Sequence, residues 1–500
     1  MAWHLALDVD RGSRVPLALQ VRDSVRRLVE DGTLRAGTRL PSSRQLATDL
    51  GVSRSVVVEA YEQLTAEGYL VTRRGSGTSV AEGGGLAPVS SALTAAAATS
   101  ASAPVDGDGS EAAWDLRTGT SNLLAFPRQE WIRSVTVALA GAGHRELSYS
   151  PPAGVPLTRH VLAGYLGRVR GVRTRSEDLM ITSGFAQGLA LLCRVLGDRG
   201  HRTLAVEDPG HPGEREFIAS ARVRPVGIPV DAEGIRVDLL ERSGARAVLT
   251  TPGHQFPTGA CLSRARREQL IAWARAVDGY VIEDDYDNAF RSGSGQPSAL
   301  QSLAPDRVVY AGSASKVLAP ALRLGWLAAP SELMASLEHV RAGWDIGCSG
   351  LEQLAFARFI DTGGLDRHQR RLRAEFAGRR EVVRREVARH LPGTRVLGGD
   401  GGLQAYLELP PAMDEDALIR AARGRSVLIR GGRFHTLSDT GRPPALVLSY
   451  ATVGCEGLAR GIAELGVAYR RLLPSATAEV ATAEVAAAAE ATVTEAGHLP

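Results

Sequence analysis

Lysine is all but absent from this 500-residue chain: every lysine or arginine position is arginine except Lys316. On a protein surface the two trade as solvated cations, but only lysine can lose its proton to its surroundings and attack a carbonyl. Schiff-base chemistry requires lysine. A single survivor is either an accident of drift or the one position arginine cannot fill, and its neighbours decide between the two.

Cysteine is scarce as well. Cys193, Cys261, Cys348 and Cys455 lie far apart with no C-x-x-C pair, which argues against a zinc site or a disulfide framework and suits a reducing compartment. A net charge of +3 rules out a polybasic coat or an acidic tail protein, so any nucleic-acid contact has to be local. No run is long and apolar enough to span a bilayer, and the opening "MAWHLALDVDRG" lacks a basic segment leading into an apolar one. These absences predict a cytoplasmic protein with no membrane partner.

What is present suffices for two folded units. Residues 83–112 are almost entirely Gly, Ala, Ser, Pro and Thr, a composition that cannot bury enough surface to offset the entropy of ordering. They read as a flexible linker, spanning roughly 30 Å, between a unit at 12–82 and a larger one at 113–473. Residues 474–500, rich in Ala and Glu, read as a low-complexity tail.

In the first unit Leu17, Val21, Val25, Leu28 and Val29 recur at helical spacing up to Gly32. Ser42 and Gln45 form a capping box that opens a short helix through Leu46 and Leu50. Gly51 turns the chain, and Ser53 caps a second helix with Val57, Tyr61 and Leu64 inward. "YLVTRRGSGTSVA" then alternates, turns and returns as a two-stranded wing tipped by Arg73 and Arg74.

Helix, turn, helix is common in any helical domain, but the whole constellation resembles the winged helix-turn-helix of GntR-type bacterial regulators. Their "P-S-x-R-x-L-A" and "S-R-x-T-V" strings occur as "PSSRQLA" and "SRSVV", with Val56 where Thr is usual. The resemblance implies that the helix from Ser53 enters the major groove of double-stranded DNA with Arg54 at base edges. It places Arg39 and Arg44 on phosphates and Arg73, Arg74 and Gly77 along the backbone or minor groove, and Ser42, Ser53 and Ser55 complete the set.

In the second unit short apolar runs alternate with helical stretches. "DLMITSG", "RTLAVEDPG", "ARAVLTTPG", "GYVIEDDYD", "RVVYAGS" and "RLGWLAAP" read as strands buried on both faces, hence a parallel or mixed α/β sheet. Ligands gather at the carboxyl ends of such strands. There "VIEDDYD" offers four carboxylates, alone readable as a divalent-metal site or a solvated acidic turn. Gly184 in "SGFAQG" opens a helix, a phosphate-favouring place or simply a turn. "SASKVLAPALRLGW" adds an amine, two hydroxyls and Arg323. An aldehyde, a phosphate and a basic ring nitrogen would answer all three.

The last segment resembles the fold-type I aminotransferases, whose "S-x-S-K-x-x-x-P-x-x-R-x-G" is present without a gap. The resemblance implies pyridoxal 5'-phosphate (PLP) bound as a Schiff base on Lys316, with Ser313 and Arg323 on its phosphate. It further implies Asp284 on the pyridine nitrogen, Tyr286 on the ring hydroxyl, and Gly184, Phe185 and Ala186 cradling the phosphate by backbone. Tyr149 would reach the phosphate of a partner subunit, and His211 stands where an aromatic ring usually stacks. Departures are equally visible: Phe256 in "HQFPTG" replaces the Asn of "N-P-T-G", and Val447 falls where the arginine gripping a substrate carboxylate is common. Arg430 and Arg433 offer another anion clamp or are ordinary surface residues.

A winged helix, a linker and an aminotransferase-like domain, in that order, resemble the MocR subfamily of GntR-type regulators. The expectation is a homodimeric, PLP-dependent transcriptional regulator, not an enzyme, sensing an amine, an amino acid or PLP itself. An active aminotransferase with an appended DNA-binding domain is the alternative, and a regulator whose effector domain has lost its cofactor is a third.

Overall fold

The computed structural model describes residues 9–13, 15–73, 77–81, 113–119, 121–291, 298–398, 401–438 and 441–473. Contacts divide the chain into two units, residues 1–110 and 111–500. Arg74, the 83–112 linker and the 474–500 tail fall outside the described residues.

In the first unit helix α1 (Leu17–Glu30) buries Val21, Val25 and Val29 on one face, at the spacing its sequence dictates. Helices α2 (Ser43–Leu50) and α3 (Arg54–Ala66) add Leu46, Ala47, Val57, Ala60, Tyr61 and Leu64 to the same core. Strands β1 (Leu70–Arg73) and β2 (Gly77–Val80) pair antiparallel from Leu70 opposite Val80 to Arg73 opposite Gly77, closing the core from the wing. Gly51 takes the left-handed turn between α2 and α3, with φ of 62°.

Two local expectations are corrected. The Ser42 side chain accepts from Gln45 N at 3.2 Å, but Gln45 turns to Asp49, so only half of the capping box forms. Ser53 occupies the N-cap of α3 without capping it through its side chain, because its hydroxyl bonds Ser55 at 2.8 Å instead.

The second unit begins with a two-residue strand β3 (Trp114–Asp115) and is built on an eight-stranded sheet. In chain order its strands are β4 (Leu179–Thr182), β5 (Thr203–Asp208), β6 (Arg224–Asp231), β7 (Gly234–Ile235), β8 (Ala247–Thr250), β9 (Tyr280–Asp284), β10 (Val308–Ser313) and β11 (Gly325–Ala328). In space they run β4-β11-β10-β9-β8-β5-β6-β7. All lie parallel except β11 and the short β7. Strands β4, β8, β9 and β11 are buried along their whole length, as continuous apolar runs require. One face packs on helices Phe185–Asp198 and Ser331–Trp344, the other on Arg264–Ala276.

A second, antiparallel sheet combines β12 (Arg395–Leu397), β13 (Gln404–Glu408), β15 (Arg430–Gly431) and β16 (Ala445–Ser449) in the order β12-β13-β16-β15, while β14 (Val427–Leu428) pairs with β3. The long helix Gly364–His390 and the helix Cys455–Leu472 share a core with this small sheet. Among the described residues no helix is long and apolar enough to cross a membrane.

Candidate functional site

The carboxyl ends of β4, β9 and β10 and the loop between β10 and β11 meet around a cavity of about 210 Å³. Lys316 lines it, and its amine donates to the Gly119 carbonyl at 2.6 Å. Desolvation holds the Lys316 pKa below its ordinary value, opposed by the nearby charges of Asp284 and Asp287. Asp284 ends β9 with its carboxyl turned to the same cavity. Burial first, then the carboxylates of Glu214, Asp285 and Asp287, push its pKa well up, and only Lys316 opposes them. With Lys316 alone set against burial and three carboxylates, this carboxyl has room for a second cation, which a protonated ring nitrogen would supply.

The other end of the cavity is suited to an anion. Gly184, with φ of 86°, precedes helix Phe185–Asp198, whose first N–H groups have no acceptor within the helix. Phe185, Ala186, Ser313 and Arg323 line the same cavity. Arg323 takes a left-handed conformation with φ of 48° and donates to the Ser183 carbonyl at 2.5 Å. A Cβ on Gly184 would come within 3.0 Å of the Arg323 guanidinium and would sit on strained backbone at this φ, so the cradle favours glycine there. Ser313 accepts from Ser315 N at 3.3 Å.

His211 presents its ring to the cavity, 5.5 Å from the Phe256 ring. Desolvation there, with the charges of Lys316 and Arg215, pushes its pKa down to about 4, so the ring is neutral at pH 7. Tyr286 also lines the cavity, and its hydroxyl accepts from Gln404 Nε2 at 2.7 Å. The four carboxylates of "VIEDDYD" part company. Glu283 accepts from Leu300 N and Gln301 N, Asp285 pairs with Arg170 at 2.7 Å, and Asp287 faces His254 at 2.8 Å. Only Asp284 is left for the cavity, and among the described residues the four carboxylates do not gather into a metal-binding group.

Tyr149 is 85% exposed and lies outside the cavity of its own chain, on a groove with Val137, Leu157 and Leu354. Val447 is buried in β16 directly opposite Arg430 on β15, whose guanidinium lies 4.3 Å over the Phe434 ring. Gln404, Glu214, Phe217 and Ser449 line the cavity without any motif announcing them. His254 could have been suspected from its place in "TPGHQFPTG", but its partner Asp287 lies on another strand end.

In the first unit Arg39, Ser42, Arg44, Ser53, Arg54, Ser55 and Gly77 are all exposed. The ion pairs described there use Arg22 and Arg26 with Asp23 and Glu67 and involve none of Arg39, Arg44 and Arg54. Arg54, in the first turn of α3, reaches Ser43 Oγ at 3.4 Å. The Arg39 guanidinium packs against Gly77 at the start of β2, where a Cβ would meet its Nε at 3.2 Å. The main chain of Arg73 closes β1.

Comparison with known proteins adds three kinds of finding. Residues 17–80 match the family described as bacterial regulatory proteins, gntR family, and residues 116–462 match aminotransferase class I and II. The chain is 32% identical to the HTH-type pyridoxine biosynthesis transcriptional regulator PdxR of Corynebacterium glutamicum, covering 90% of this chain and 94% of that one. It is 31% identical to the probable rhizopine catabolism regulatory protein MocR of Rhizobium meliloti, covering 93% and 96%. Among solved structures, LysN, an α-aminoadipate aminotransferase of Thermus thermophilus complexed with N-(5'-phosphopyridoxyl)-L-leucine, matches with a TM-score of 0.65 at 27% identity, covering 72% of this chain and 92% of that one.

Proposed function

This chain belongs to the MocR subfamily of GntR-type transcriptional regulators, with a fold-type I aminotransferase domain behind a winged helix-turn-helix, and we propose that PLP held in the larger domain governs DNA binding by the smaller. One observation carries the reading: the single lysine of the chain opens into a cavity between the buried Asp284 carboxyl and a glycine-and-arginine cradle. Those residues fit the cofactor. Lys316 would hold its aldehyde carbon and Asp284 its ring nitrogen. The turn at Gly184, Phe185 and Ala186, with Ser313 and Arg323, would hold the phosphate, and His211 would lie on the ring face. When bound, PLP supplies an electrophilic carbon open to exchange with other amines and a ring that withdraws electrons.

The signal in this account is an amine, an amino acid or PLP itself. Val447 removes the usual carboxylate clamp and Phe256 a hydrogen-bonding side chain, and a poorly oriented substrate reacts slowly. Such a site registers an amine without turning it over. The exposed Tyr149 groove supports a homodimer in which that side chain reaches the partner's phosphate. Two winged units would then address half-sites about 34 Å or a multiple apart.

The likeness to LysN favours a second reading, an active aminotransferase with a DNA-binding appendage. An amino donor with a keto acid separates the two: we expect product to stop at or below one equivalent per protein. Product accumulating steadily past that point would carry the second reading.

A further inference from the structure

The hydroxyl of Tyr286 sits in a network that the cofactor reading does not use. It accepts from Gln404 Nε2 at 2.7 Å and faces His254 Nδ1 at 3.2 Å, while the same Nδ1 lies 2.8 Å from Asp287 Oδ2. A carboxylate can only accept, so the closeness of Asp287 puts the ring proton on Nδ1, where it faces that charge and the phenol oxygen. The phenol oxygen then meets two donors, and its own proton has two destinations, the neighbouring Asp287 carboxylate and the cavity. Burial first, and the charge of Asp287 next, raise the Tyr286 pKa well above the ordinary range, so the group stays a neutral donor. With Phe256 in the place of asparagine, Tyr286 carries alone a task that is usually shared.

His254 cannot swing away. A Cβ on Gly402 would overlap its ring, and one on Gly259 would lie 2.9 Å from Nε2. Gly259 and His254 follow β8 of the large sheet, whereas Gly402 and Gln404 belong to the approach and first residue of β13 in the small sheet. The hold on Tyr286 therefore spans the seam between the two sheets.

We propose that His254, backed by Asp287, and Gln404 are positioning residues that aim the Tyr286 proton at the cofactor's ring hydroxyl, and that Gln404 makes this aim depend on the placement of the small sheet. The inference rests on the cofactor reading above. Without the two donors, Tyr286 turns its proton to Asp287, the competing acceptor beside it. The other charged groups around the hydroxyl are Asp284 on its own turn and Lys316 on the β10–β11 loop, while Arg380 of the long helix lies beyond Tyr450. From the small sheet the facing groups are the neutral Gln404 and Ser449.

The test is a pH titration of the visible band of the full-length, PLP-loaded protein. A donor on the ring hydroxyl lowers the proton affinity of the Lys316 nitrogen joined to the cofactor, so losing that donor raises the midpoint. Gln404→Leu and His254→Ala, lying on different elements, are each expected to raise it by about half to one pH unit. Tyr286→Phe is expected to raise it at least as far, and neither change should move it again in the Tyr286→Phe background. Unshifted midpoints in the single variants, or equal shifts with and without the phenol, would overturn the inference alone. A wild-type protein with no visible band would overturn the cofactor reading and the inference together.

Discussion

A Lys316→Arg variant is expected to remain colourless with PLP, to give no borohydride-stable adduct, and to bind DNA without responding to amines. Arginine keeps a positive charge beside Asp284, so the carboxyl is not stranded as it would be in an alanine variant, and only the nucleophile is removed. The loss should therefore be complete for covalent capture and small for stability, read by absorbance, mass and thermal unfolding together. The wild type supplies a matched control. Because desolvation lowers the Lys316 pKa from its ordinary 10.5, the neutral amine is populated at lower pH than in free lysine. The rate of PLP capture should accordingly rise with pH to a midpoint below 10.5. A coloured, reducible Lys316→Arg protein would remove lysine 316 from the chemistry.

The second large effect concerns the winged unit, where two arginines should fail in different ways. Arg54 is exposed in the first turn of α3, the part of a recognition helix that meets base edges. Arg54→Ala is expected to relax sequence preference, costing about 1–3 kcal/mol at the base it reads and much less on unrelated DNA. Arg39 packs its guanidinium on the wing at Gly77 and forms the bridge that joins the chain before α2 to Ser79. Arg39→Ala is expected to weaken binding to all sequences alike and to lower the salt slope by about one. Binding of selected and scrambled duplexes across a salt series measures both. Equal losses of specificity in the two variants would contradict the assignment.

Much of this was legible because physics writes it locally. Strands β4, β5, β8, β9, β10 and β11 are buried on both faces and read as apolar runs closed by Gly, Pro or Asp. Strand β6 was not legible, since "RPVGIPVD" carries two prolines and a glycine, residues that sequence patterns count against strands. The hydroxyls of Ser53 and Gln45's amide show the limit of capping rules: each side chain had a closer partner, Ser55 and Asp49, that a spacing rule does not weigh. The cavity divides likewise. Lys316, Asp284, Gly184 and Arg323 sit in strings whose chemistry is readable. Gln404 is a neutral amide in an unremarkable strand, and what makes it matter is its approach to Tyr286, 118 residues away. Asp284 was singled out from four neighbouring carboxylates by the resemblance alone, and the structure adds the physical reason, since the other three face partners of their own.

The most direct measurement is borohydride reduction of the PLP-loaded wild-type protein followed by intact-mass and peptide analysis. With one lysine in the chain, the account predicts a single phosphopyridoxyl adduct, located at Lys316 and formed together with loss of the visible band. An unmodified protein, or an adduct confined to the N-terminal amine, would contradict it.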